Sequence, residues 1–119
     1  MRQKSHATRL LRNTIFAAIA VCFTNASLAQ TDYSQVQIIP HQVRGNVYYL
    51  EGAGGNIGLS VGEDGVVMID DQFAPLTTKI LAAITSINDG DIRFLINTHV
   101  HGDHTGGNEN LGKQGIVIL

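Results

Sequence analysis

The most constraining feature of this sequence is a cluster of histidines that directly follows an apolar segment. Residues 92–96 read IRFLI, and the segment NTHVHGDHTGGN at 97–108 follows without a linker. The six positions 99–104 contain three of the chain's five histidines and one aspartate. A short apolar run bounded by turn residues predicts a buried strand. We therefore expect these polar side chains in a loop at the end of a rigid strand, where a precise site can be built.

The spacing within this cluster favours metal binding. His99 and His101 are two residues apart, and in an extended loop such side chains point the same way and can bind one cation. Asp103 and His104 are adjacent, and they can turn to a second point nearby. Imidazole nitrogen and carboxylate oxygen are both good Zn²⁺ ligands, and two metal ions about 3.5–4 Å apart can hold a reacting group between them. The alternative of solvated surface histidines suits a single histidine better than this group.

Hydrophobic patterns predict a mixed sheet with helices packed against it. Strands are predicted for five segments rich in apolar and β-branched residues: 47–50, 57–61, 66–70, 92–96 and 116–119. The segment 66–70 is apolar enough to predict burial on both faces, and so is 92–96. Apolar residues spaced three and four apart predict an amphipathic helix over 76–87, and a short polar helix is predicted at 108–112. Residues 30–46 are interpreted as a polar lead-in, and the fold class is α+β.

The first 29 residues show the three regions of a secretory signal peptide. Four of the eight basic residues lie within the first twelve positions, and an apolar run of nine residues follows at 15–23. That run is too short to span a bilayer as a helix. Small residues at Ser27 and Ala29 predict cleavage after Ala29. We therefore predict a signal peptide at 1–29, in preference to a buried N-terminal helix, and a secreted or periplasmic domain at 30–119.

The charge of the predicted mature region excludes several kinds of partner. Residues 30–119 contain four basic residues against all ten acidic residues of the chain. Nucleic acids and anionic membrane surfaces both require clustered Lys and Arg, so neither is expected to bind. The only cysteine, Cys22, falls within the predicted signal peptide, which leaves no disulfide and no cysteine nucleophile in the mature region. A small-molecule substrate is the expected partner, and the oligomeric state stays open.

Two motifs near the cluster carry weaker assignments. Asp70 and Asp71 are candidates for paired acids in acid–base catalysis, but support of the metal-binding loop is favoured for Asp70. Asp71 is expected to be a solvated residue at the strand end. The segment GAGGNIG at 52–58 does not match GxGxxG and precedes no helix, so we predict a turn and not a phosphate-binding loop. His41, beside a proline, is expected on the surface.

Residues 98–108, THVHGDHTGGN, resemble the HxHxDH signature of the metallo-β-lactamase superfamily, and the apolar strand that ends at Asp70 is similar to that family's first motif. The resemblance implies an αββα sandwich with metal ions at the sheet edge, of which only the N-terminal half is present here. It implies that Asp70 orients the ligand loop by hydrogen bonds and that Asp103 also holds the attacking water. The implied ligands are His99 and His101 for the first metal ion, and Asp103 and His104 for the second.

The resemblance implies an exported hydrolase that uses two Zn²⁺ ions to activate a water, which attacks an ester, thioester, amide or β-lactam carbonyl. Many members carry an aromatic residue where this chain has Val100, which is not a ligand position. The family completes its site with a histidine, an aspartate and a last histidine further downstream, and these are absent from this sequence. A truncated, catalytically inactive metal-binding fragment is therefore one alternative. An iron-dependent enzyme similar to the sulfur dioxygenases or diiron oxidases is another, because these ligands also suit iron.

Overall fold

A computed structural model describes residues 30–119, and Thr31–Leu119 form one compact unit. The predicted signal peptide lies outside the described residues. The strands are β1 Ile39–Arg44, β2 Val47–Glu51, β3 Ile57–Gly62, β4 Gly65–Ile69, β5 Ile92–Ile96 and β6 Val117–Ile118. The helices are α1 Thr77–Ile87, which follows a 3₁₀ turn at Ala74–Leu76, and two short helices, α2 Gly102–Thr105 and α3 Asn108–Gly112. The five predicted strands and both predicted helices are confirmed to within about two residues, a normal uncertainty for element ends.

The six strands form one sheet in the order β1-β2-β3-β4-β5-β6. Strands β1 to β4 pair antiparallel, whereas β5 runs parallel to β4 after the α1 crossover, and β6 runs parallel to β5. The carboxyl ends of β4 and β5 therefore lie at the same edge of the sheet. The Asp70 N–H donates to the Ile96 carbonyl at 2.9 Å, which holds the two following loops together. This edge carries the histidine cluster.

One face of the sheet packs against the helices and forms the core. Alternate residues of the strands point to this face, where they meet the apolar stripe of α1. The fully buried apolar residues are Leu50, Ile57, Leu59, Val66, Met68 and Leu95 from the sheet, with Leu76, Ile80, Ile84 and Leu111 from the helical segments. Within residues 30–119 no helix is both long and apolar enough to cross a bilayer. The α+β prediction is confirmed.

The expectation that β4 and β5 are buried on both faces is wrong for the described residues. In β4, Val66 and Met68 are buried, but Ile69 is 39% exposed. In β5, Leu95 is buried, whereas Phe94 is 41% exposed. Each strand thus buries only part of its residues, because the helices cover one face of the sheet and the other face has no layer packed on it within residues 30–119.

The interpretation of residues 30–46 as a lead-in is wrong for its second half, which forms β1. Pro40 pairs with Leu50 at the edge of the sheet, where a residue without an N–H group is tolerated. The segment before β1 is tied to α1 by Lys79, whose ammonium donates to the backbone carbonyls of Tyr33, Ser34 and Val36 at 2.7–3.1 Å. Lys79 thus anchors this segment together with the packing of Tyr33 and Val36 against the core.

Candidate metal site

Asp70 organises the histidine segment from the end of β4. Its carboxylate is almost fully buried, at 4% exposure. It accepts hydrogen bonds from the Thr98 N–H at 2.8 Å, the Thr98 hydroxyl at 2.7 Å and His104 Nδ1 at 2.7 Å. Burial acts to raise the pKa of Asp70, but the hydrogen bonds from Thr98 and His104 outweigh it and lower the pKa below its ordinary value. Asp70 is therefore ionised at neutral pH and fixes the position of both partners.

His104 is held with one ring nitrogen occupied and the other directed at a carboxylate. Its Nδ1 is bonded to Asp70, and its Nε2 lies 3.4 Å from Asp103 Oδ2. The hydrogen bond to Asp70 raises the pKa of His104, burial opposes this rise, and the charges of Asp103 and Asp70 add to it. When its ring is neutral, a histidine whose Nδ1–H donates to a carboxylate has a bare Nε2, and this is the usual state of a metal-ligating imidazole.

His99 and His101 lie beside His104. The His99 ring centroid is 4.0 Å from that of His104 and 4.7 Å from that of His101. The Thr98 hydroxyl lies 2.9 Å from His99 Nδ1, so Thr98 links Asp70 to a second imidazole. Val100, between the two histidines, is 86% exposed. The structure thus brings the three imidazoles of the segment together.

We expected the histidine segment to be extended, but only part of it is. It bends up to His101, and residues 102–105 then form the single helical turn α2. The His101 carbonyl accepts from the N–H groups of His104 and Thr105 at 2.9 and 3.1 Å. The side chains of Asp103 and His104 therefore extend from a helical turn, whereas those of His99 and His101 extend from the preceding bend. The His99 ring nevertheless lies closer to the His104 ring than to the His101 ring, at 4.0 Å against 4.7 Å between centroids, so the division into two ligand pairs stays a prediction.

The prediction of a solvated Asp71 is wrong. Asp71 is 1% exposed, and its Oδ1 accepts from the Gly107 N–H at 2.9 Å, while its Oδ2 has no hydrogen-bond partner within the described residues. Burial raises the pKa of Asp71 to about 6; the Gly107 bond opposes this rise and the charge of Asp70 adds to it. Asp71 thus anchors the far end of the histidine segment from inside the core. The sequence misleads here because adjacent acids at a strand end usually face water.

Sequence reasoning also missed the role of the glycine segment 52–55. It is a turn, as predicted, but it packs against the candidate ligands. A Cβ atom on Gly54 would lie 2.6 Å from Asp103 Cβ, and one on Gly55 would overlap His104 Cε1. Gly54 also has φ +81°, a conformation that glycine adopts without strain. Only the density of glycines hinted at such a close approach. His41 lies elsewhere, on the sheet face away from the helices, where it bonds Glu51 at 3.0 Å and stacks on Tyr49.

Comparison with known proteins decides the family. Residues 44–119, more than half of the chain, match the sequence model of the metallo-beta-lactamase superfamily. The chain belongs to the metallo-beta-lactamase superfamily. A search of curated protein sequences gave no match. The resemblance drawn from the HxHxDH segment is confirmed.

Solved structures with the same fold include beta-lactamases of this superfamily. One is BJP-1, a subclass B3 metallo-beta-lactamase of Bradyrhizobium japonicum, with a TM-score of 0.63 and 27% identity over 73% of this chain and 34% of that chain. Another is MIM-1 from Novosphingobium pentaromativorans, with a TM-score of 0.60 and 32% identity over 66% and 30%. A beta-lactamase from Chitinophaga pinensis gives a TM-score of 0.65 and 25% identity over 78% and 36%. The chain spans about a third of the length of these structures.

The donor atoms of this superfamily member fit a divalent metal ion in part. Two ligands bound 2.0–2.2 Å from a tetrahedral Zn²⁺ lie about 3.3–3.6 Å apart, and His104 Nε2 and Asp103 Oδ2 are separated by 3.4 Å. Among residues 30–119, no three His, Cys, Asp or Glu side chains surround a single point closely enough to form a metal site. The four predicted ligands stay a prediction, and His104 and Asp103 would need further ligands to complete the four-coordination of a bound Zn²⁺.

Proposed function

We propose that this chain is part of an exported metallo-hydrolase whose site holds two Zn²⁺ ions. The observation that carries the proposal is the arrangement of Asp70, His104 and Asp103. A buried carboxylate fixes one imidazole nitrogen at 2.7 Å, and the other nitrogen faces a second carboxylate at a separation that suits two ligands of one ion. Fixing these side chains reduces their conformational freedom and removes water from their polar groups. A bound cation would compensate for both unfavourable effects.

In this proposal, His99 and His101 hold one ion while Asp103 and His104 hold the other. Bound zinc would supply a water activated near neutral pH and would stabilise negative charge on a substrate oxygen. Asp70 keeps His104 in the tautomer with a bare Nε2. Asp103 would orient the attacking water by a hydrogen bond, a role for which its side chain is accessible, at 35% exposure. Thr98 links the two proposed ligand pairs. Its hydroxyl contacts His99 and also Asp70, and Asp70 accepts a hydrogen bond from His104.

A β-lactam carbonyl is the first substrate class to test. Two similar solved structures, at 27% and 30% identity, are named as B3 metallo-beta-lactamases, and MIM-1, at 32% identity, is named as a metallo-beta-lactamase. Esters and thioesters remain in the proposal, because their carbonyls undergo the same attack by water. Export is part of the proposal as well, and it rests on the signal-like composition of residues 1–29.

A second candidate function is metal binding without turnover. Each pair of donors fills only two positions of an ion that normally has four ligands. Further, the chain spans about a third of the length of the similar structures. Metal bound by two protein ligands would be held weakly, and its remaining ligands would be waters.

Zinc titration of the 119-residue protein by calorimetry tests both candidates, with nitrocefin and a thioester as substrates. Two bound equivalents with turnover support the hydrolase, whereas binding without turnover supports the second candidate. The double variant His99→Ala/His101→Ala should lose at least one equivalent, and His41→Ala is the matched control because that histidine lies away from the cluster. If the protein retains no metal after desalting, or if the double variant retains as much as the wild type, both candidates fail.

A further inference from the structure

Gln72 occupies an unusual place between the end of β4 and the 3₁₀ turn. Its side chain is completely buried, and its backbone has φ +56°, in the left-handed region. Its amide makes two hydrogen bonds to one loop: Nε2 donates to the Gly55 carbonyl at 2.7 Å, and Oε1 accepts from the Ala53 N–H at 3.2 Å. A β-carbon on Gly52 would lie 2.5 Å from Oε1, so the glycine segment closes tightly around the amide.

The loop to which Gln72 is hydrogen-bonded also packs against the candidate ligands. Gly54 packs against Asp103, and Gly55 packs against the His104 ring. The backbone carbonyl of Gln72 also limits the space at Gly106, where a β-carbon would lie 2.6 Å from it. Gln72 therefore contacts the glycine segment with its side chain and the histidine segment with its backbone. It is the residue through which the two segments are held at a fixed separation.

The backbone conformation of Gln72 indicates that the side chain has a purpose. Glycine adopts a positive φ without strain, whereas a residue with a side chain does so only when the surroundings enforce it. A buried primary amide also costs free energy unless its groups are paired. Here the carbonyl oxygen and the amino group each have a partner, so the side chain compensates for the strained position by fixing the loop.

We propose that Gln72 is a positioning residue that locks the glycine segment 53–55 against Asp103 and His104, and thereby sets the direction of the free nitrogen of His104. Asp70 fixes the Nδ1 side of the His104 ring. The glycine segment, which Gln72 holds by two hydrogen bonds, limits movement of the other side of the ring. The effect on metal binding rests on the proposed function. The effect on the loop and on the His104 ring is independent of the proposed function, because these contacts are present without metal.

The test compares the 119-residue wild type with Gln72→Met, which keeps the side-chain length and removes both hydrogen bonds. The matched control is Gln42→Met, because Gln42 Nε2 donates to the Gly45 carbonyl at 2.8 Å in an exposed turn that contains no candidate ligand. Three quantities are measured: amide hydrogen exchange at residues 53–55 and NMR signals of the His104 ring, both without metal, and the Zn²⁺ dissociation constant by competition with a chelator.

We expect Gln72→Met to accelerate exchange at the Ala53 amide, to shift the His104 ring signals and to weaken Zn²⁺ binding about 10-fold or more, as loss of groups that orient metal ligands usually does. Gln42→Met should leave all three unchanged. Unchanged His104 signals in a folded Gln72→Met protein overturn the proposal. If that variant does not fold, Gln72→Glu replaces it, since it keeps the acceptor for Ala53 and loses the donor to Gly55. If Gln72→Met shifts the His104 signals but the wild type binds no Zn²⁺, the positioning role is upheld and the proposed function is rejected.

Discussion

The carboxylate of Asp70 and the imidazole of His104 are joined by a hydrogen bond of 2.7 Å, although 34 residues separate them in the chain. The bond connects the end of β4 to the helical turn α2. It fixes the orientation of the His104 ring, whose side chain is 19% exposed. The same carboxylate accepts from both the backbone and the side chain of Thr98, so one buried charge defines the positions of two neighbouring segments.

Asp70→Asn should weaken Zn²⁺ binding about 10- to 100-fold, the usual effect of removing a group that orients a metal-ligating histidine. The asparagine amino group would face His104 Nδ1 and donate to it, so the imidazole proton would move to Nε2 and block the donor nitrogen. Competition titration with a chelator measures the change. Asp91→Asn, at an exposed acid on the loop before β5, is the control. Equal affinities in Asp70→Asn and the wild type would contradict the assigned role of Asp70.

The metal-free protein should lose stability from Asp71 as the pH rises. The pKa of Asp71 is raised to about 6 in the folded state from an ordinary value of 3.8. Its contribution is therefore complete below about pH 4 and is lost as the pH rises through about 6. A shift of about two units corresponds to about 3 kcal/mol of unfolding free energy. Asp71→Asn, which stays neutral, should not show this loss.

Urea unfolding of the metal-free wild type and Asp71→Asn at pH 4.5, 6 and 7.5 measures this difference. The free energy of unfolding of the wild type should fall relative to the variant across this range. The difference between the wild type and Asp91→Asn should stay constant, because Asp91 is exposed. A wild type that gains stability relative to Asp71→Asn with rising pH would show that Asp71 is stabilised in its charged form.

Gly55→Ala should disturb the candidate metal site without adding any polar change. Its β-carbon would overlap the His104 ring, so either the ring or the glycine segment must move. We expect Zn²⁺ affinity to fall about 10-fold, in line with the displacement of a ligand. Gly102→Ala is the matched control, since a β-carbon there meets no atom within 4 Å. Similar affinities for the two alanine variants would show that the glycine segment does not restrain His104.

Export of the protein from a bacterial host should give a mature chain that begins at Gln30. Ala29→Leu places a large residue immediately before the predicted cleavage point and should leave the precursor uncut. Ala18→Leu, within the apolar run, should be processed normally. Intact mass of the exported protein measures each outcome. A wild type that retains Met1 in the periplasm would contradict the prediction of a cleaved signal peptide.

The sequence predicted those elements whose hydrophobic period is clear. It also placed three imidazoles and a carboxylate in one short segment, and their role as metal ligands stays a prediction. It did not predict β1, because Pro40 and the polar residues around it suggest a loop unless the edge position is known. It also did not predict α2, because three histidines and an aspartate have no helical hydrophobic pattern. The burial of Asp71 depends on Gly107, 36 residues away, so no local pattern could reveal it.

Three successive residues at the end of β4 hold three different points on two segments. Asp70 binds the start of the histidine segment, Asp71 binds its end at Gly107, and Gln72 binds the glycine segment. Their side chains diverge because positive φ angles at the first and third residues turn the backbone twice. Inserting or deleting one residue here would misdirect all three at once. A graft of this loop into another scaffold must therefore transfer all three residues together, with the left-handed backbone conformation of the first and third preserved.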